Sequence, residues 1–124
     1  MDEAVENQVE PTPENKREHA RLPVHWHAAI MLNQQLVYGK LGDVSHGGAT
    51  LLLDANLAVG SKHPLYIRMP TPDRTSYHQL EASAQVCNIV LAPSLGCYRI
   101  GMRFAAFQGN TQALLMQYLQ THEG

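Results

Sequence analysis

The 124-residue chain is 44% hydrophobic and 16% charged, a composition that fits one compact domain and leaves little room for a second core. Residues 1–15 hold five acids and no Lys or Arg, while all nine basic residues and six acids fall in the remainder, which carries a net +3. That excess is too small for a surface devoted to long polyanions, and no stretch reaches the roughly 20 apolar residues that cross a bilayer, so no membrane insertion is expected.

In chain order, the leader "MDEAVENQVEPTPENK" combines acids, amides and two prolines with almost no large apolar residues, too little to repay the entropy of ordering. Residues 1–15 are therefore read as a disordered acidic arm, and residues 16–124 as the folded domain. The first residues have neither the basic start nor the apolar core of a secretion signal, so a cytoplasmic location is expected. From Leu22 the pattern changes: Leu22, Val24, Trp26, Ala28, Ile30 and Leu32 occupy every second position, the period of a half-buried strand.

Further strands are expected in "QLVYGKLGDVS", "ATLLLD", "HPLYIRM", "HQLEASAQVCNIVL" and "CYRIGMRF", punctuated by Gly, Pro and Asp turns. His46, Gly47 and Gly48 form the corner before the third strand, where glycine reaches angles that strain other residues. After Phe107 the period changes again. Asn110 or Thr111 can cap a helix, and Leu114, Leu115, Tyr118 and Leu119 fall on one stripe, so about three helical turns follow. Six short strands and one amphipathic helix give an all-β class: a small six-stranded antiparallel β-barrel with a C-terminal α-helix and a flexible N-terminal arm.

Cys87 and Cys97 flank a hairpin turn and read as reduced thiols, since no disulfide framework or CxxC pair is present. His25 and His27 share a strand face at metal-ligand spacing, yet nothing nearby in sequence completes a ligand set, so no metal is expected. Ser45, Asp43 and a histidine match the residue types of a hydrolase triad. However, Ser45 and Asp43 sit side by side on one segment, and no nucleophile elbow surrounds them. No catalytic residues are assigned, and the chain is read as a non-enzyme.

Two local groups remain: Arg17 with Arg21, and "DVSHGG" from Asp43 to Gly48. Singly, an arginine pair is a solvated face and Asp-x-Ser before Gly-Gly is a turn. Together they meet the demands of a guanine nucleotide. The O6 and N7 edge and each phosphate accept the fork of an arginine, whereas the N1 and N2 hydrogens need a carboxylate. Arg17, Arg21 and Asp43 supply those complements, Ser45 adds a small hydroxyl, and Gly48 leaves the backbone bare.

With "REHAR" from Arg17 to Arg21 matching RxxxR, and "DVSHGG" matching [D/N]xSxxG, the chain resembles the PilZ domains, bacterial receptors for cyclic di-GMP. The likeness continues through "HARLPV", "GATLLL", "IGMRF" and the closing "LLMQYL", covering roughly residues 16–120. It implies that Arg17 and Arg21 grip guanine edges and phosphates, that Asp43 and Ser45 hold the remaining guanine contacts, and that Gly48 keeps the turn open. A basic residue before RxxxR is similar to the type that binds two ligand molecules, and here that residue is Lys16. The ligand expected is cyclic di-GMP, with no cofactor. The output expected is a change of N-terminal conformation passed to an unidentified protein partner, without long nucleic acid. Two other readings are a PilZ-like adaptor that binds no nucleotide and an oligonucleotide-binding barrel. The latter is weakened because few of the eight aromatic residues sit beside basic ones.

Overall fold

The computed structural model describes residues 21–123; the acidic arm, Lys16 and Arg17 lie outside them. Six strands follow one another: β1 (Leu22–Leu32), β2 (Gln35–Val44), β3 (Gly48–Leu53), β4 (Lys62–Pro70), β5 (Tyr77–Ala92) and β6 (Cys97–Phe107). A helix, α1 (Thr111–Glu123), ends the described chain. The strands close into an antiparallel barrel in the order β1-β2-β3-β6-β5-β4. Two three-stranded meanders therefore face each other, joined where β3 meets β6 and where β4 returns to β1.

The period-two reading of β1 holds for its centre: Val24, Trp26, Ala28 and Ile30 are buried, while His25 and His27 are exposed. Ala29 points outward but is covered too, because Tyr38 and Tyr66 flank it on the neighbouring strands. The inward faces of the other strands contribute Leu41, Leu51, Leu65, Ile67, Leu80 and Ile100, all essentially solvent-free. Each such side chain contributes about 1.5 to 3 kcal/mol of burial. Leu115 and Leu119 of α1 join the same core, as their helical spacing requires. Thr111 does not serve as the expected cap: its hydroxyl accepts from the Glu81 amide at 3.0 Å, tying the start of the helix to β5. β6 also runs three residues beyond the expected Phe104, because Ala106 and Phe107 continue the ladder opposite Ser83 and Ala82.

Asn33 and Gln34 connect β1 to β2 with φ of 52° and 67°, the two-residue turn whose twist matches a hairpin. Gln34 bears a side chain where glycine is cheaper. Gln34→Gly is expected to stabilise the fold by about 0.5 to 1 kcal/mol, the relief of strain less the added chain entropy. A thermal melt should show the rise of a few degrees.

The β4–β5 loop is organised by one carboxylate. Asp73 accepts from the Thr71 hydroxyl at 2.7 Å, the Thr75 hydroxyl at 2.8 Å and the Thr75 amide at 3.1 Å. The Thr71 hydrogen bond first, then those from Thr75, lower its pKa below the ordinary aspartate value. A depressed pKa means stabilisation that is complete at neutral pH and lost as pH falls through the lowered value. Amide exchange at Thr75 and Ser76, corrected for intrinsic rate, is therefore expected to accelerate in acid below the usual aspartate range.

Among the described residues no helix is long and apolar enough to cross a membrane, and no group of three His, Cys, Asp or Glu could hold a metal ion. Cys87 and Cys97 are both free.

Candidate ligand-binding site

Cross-strand register assembles the outer face that bears Asp43. Pro23 of β1 lies opposite Asp43 of β2, which lies opposite Thr50 of β3; Thr50 faces Gly101 of β6, and Gly101 faces Asn88 of β5. Bulges in β1 and β2 beside Asp43 turn its carboxylate outward while Leu41 and Val44 stay in the core. Gly101 leaves this row low, since a Cβ there would come within 2.8 Å of the Asn88 amide.

Arg21 enters this row from the chain end. Its Nη1 donates to Asp43 Oδ1 at 2.8 Å and reaches Thr50 Oγ1 at 3.5 Å. The ion pair is half open to solvent, with side-chain exposures of 56% and 27%, so it adds only about 0 to 1 kcal/mol to the fold. Its value is positional: a guanidinium fork and a carboxylate are held side by side on an accessible wall.

Ser45 and Gly48 have a different placement. Ser45 is 3% exposed. Its hydroxyl donates to the Gly48 carbonyl and accepts from the Gly47 and Gly48 amides, each at 3.3 Å. It organises the turn from within, and a ligand contact through Oγ requires that turn to loosen. Gly48 belongs to β3 and pairs with Arg103. It does not occupy the left-handed region; instead, a Cβ would run into the main-chain carbonyl oxygen of Met102. Here glycine is required by the approach of two strands. Lys16 and Arg17 lie outside the described residues.

The Gly101–Asn88 step depends on register and has no local signal in the sequence. Thr50 does have one: the alternation of "GATLLL" places Gly48, Thr50 and Leu52 on the face opposite Ala49, Leu51 and Leu53. On the same outer wall, Arg103 bonds the Gln85 side chain, and exposed Arg99 lies opposite Leu52. The wall thus offers forked donors, one carboxylate, a hydroxyl and a low floor, complements to a flat polar ring bearing acidic groups.

The family model for the PilZ domain matches residues 15–121. The fold is similar to that of the inhibitor of motility MotI/DgrA from Bacillus subtilis, at 21% identity and a TM-score of 0.72, covering 91% of this chain and 56% of that one. It is similar to the PilZ domain of YcgR from Escherichia coli solved with c-di-GMP, at 18% identity and TM-score 0.64, covering 87% and 92%. The MrkH–c-di-GMP complex from K. pneumonia follows at 15% and 0.62, covering 85% and 50%. This chain therefore spans little more than half the length of MotI/DgrA and half that of MrkH. No curated protein matches it.

Proposed function

The chain belongs to the PilZ domain family, and on that premise we propose that it is a cyclic di-GMP receptor, regulatory and non-catalytic, whose output is a protein contact. The observation that carries this reading is the Arg21–Asp43 pair at 2.8 Å on an open barrel wall. Such a pair can exchange partners. A phosphate or guanine O6/N7 edge replaces the carboxylate on Arg21, and guanine N1–H and N2–H replace the guanidinium on Asp43. Binding then trades one set of charge-assisted bonds for another without leaving a lone charge behind. The neighbouring structures solved with c-di-GMP support the same ligand.

Arg17, matched to the first arginine of RxxxR, is the second cationic fork of this reading, and Lys16 favours a pair of ligand molecules. Ser45 and Gly48 shape the turn that presents Asp43. With the ligand bound, the segment from Lys16 to Arg21 closes onto the wall and redirects the acidic leader, making or hiding a surface for a partner. Isothermal titration with cyclic di-GMP tests the receptor, giving affinity and stoichiometry together. No heat at ligand concentrations of hundreds of micromolar would leave the adaptor reading in its place. The switch is tested separately: amide exchange over residues 10–21 should slow on addition of ligand, and unchanged protection refutes it.

A further inference from the structure

Across β1 from Asp43, a groove of about 500 Å³ opens between the start of β1, the β4–β5 hairpin and α1. Leu22, Pro23 and Pro70 give it an apolar floor, while Arg68 and Arg74 stand on one wall and Tyr77, Tyr118 and His122 on the others. The histidines of β1, His25 and His27, add two more basic groups. Among the described residues no carboxylate lines it.

Among the described residues neither Arg68 nor Arg74 forms an ion pair; Arg68 lies over the Tyr77 ring at 5.3 Å. Asp73, the acid next to Arg74 in sequence, spends its carboxylate on Thr71 and Thr75. Arg74 itself has φ of 62°, a conformation that favours glycine. A strained arginine at the mouth of a basic groove points to a use for its side chain.

The aromatic wall is ordered as well. Trp26 meets Tyr118 edge-on at 5.0 Å, and Tyr118 stacks on His122 at 3.9 Å. A polyphosphate backbone would need a track of cations extending past the groove, whereas Arg68 and Arg74 are the two arginines of one short, partly apolar cleft. That combination suits carboxylates spaced around a ring or aliphatic side chain.

We propose that this groove is the docking site for an acidic peptide segment of a protein partner. Its carboxylates meet Arg68 and Arg74, and an apolar or aromatic side chain lies against Tyr77 and Tyr118. The proposal goes beyond the cyclic di-GMP reading and uses none of its ligand-contacting residues. Trp26, the single tryptophan of the chain, lines the groove and provides the readout.

The probe is a synthetic nine-residue peptide of glutamates around one central phenylalanine, titrated into the full chain at low salt and followed by tryptophan fluorescence. Saturable binding is expected, with Arg68→Ala and Arg74→Gly each weakening it about tenfold or more. Both variants should bind cyclic di-GMP as the parent does. Arg74→Gly relieves the backbone, so an unchanged or raised melting temperature shows that lost affinity is not unfolding. The proposal is overturned if the peptide does not bind at millimolar concentration, if Arg74→Gly binds like the parent, or if a glutamine version binds equally. It is also overturned if oligothymidylate outcompetes the peptide, or if sedimentation shows a dimer that Arg68→Ala dissolves, which would give the groove to nucleic acid or to a second copy.

Discussion

Arg21→Ala is expected to weaken cyclic di-GMP binding by about tenfold to more than a hundredfold, because a hydrogen bond to a charged group contributes about 1.5 to 3 kcal/mol. The barrel should survive. Arg21 is mostly exposed and its ion pair with Asp43 spans solvent, so little stability is at stake. Asp43→Ala should have a similar effect on binding for a second reason: it removes the acceptor for guanine and also the anchor that holds Arg21 at 2.8 Å. A double variant is therefore expected to lose less than the sum of the two single losses, since the residues are coupled. Calorimetry on all three variants, with circular dichroism to confirm folding, checks the expectation. Normal binding by Arg21→Ala would remove the proposed site.

The second large effect is on stability. Gly48→Ala places a methyl group against the main-chain carbonyl of Met102, and neither strand can yield without disturbing the β3–β6 ladder from Gly48–Arg103 onward. Overpacking of this kind costs about 3 kcal/mol, which lowers the melting temperature of a domain this size by more than about 10 °C. Gly42→Ala gives the contrast within the same stretch of chain. Its Cβ would meet Leu52 Cδ1 at 3.7 Å, an ordinary contact, with no left-handed φ. That variant should melt near the parent or slightly above it. If both substitutions behaved alike, the closeness of β3 and β6 would not be the reason for glycine at 48.

Local patterns carried most of the architecture. Alternation through Val24, Trp26, Ala28 and Ile30 and the stripe through Leu115 and Leu119 each encode which face is dry, and burial of both follows that encoding. Arg21 and Asp43 could be assigned to one ligand from chemistry alone, although they stand 22 residues apart. What escaped sequence reasoning depends on neighbours supplied by register. Gly48 reads as a turn glycine until β6 is laid beside it. Ser45 reads as an available hydroxyl until its three partners in the turn are seen. Arg68, Arg74 and His122 lie on three different elements, so no window of sequence shows them as one group. The closing of β4 onto β1 creates that cluster, and nothing in the spacing of its members announces it.

The ladder between β1 and β4 runs only from Ala28–Ile67 to Ile30–Leu65, the shortest join in the ring. A cylinder breathes where fewest backbone bonds hold it, so native-state fluctuations should begin by parting the two meanders along this line. Heat or mechanical load would unzip the protein from the same place. His27 and Arg68 stand directly beyond the last pair, on opposite banks of that fissure; a molecule bridging them would act as a clasp, slowing the opening of the whole ring.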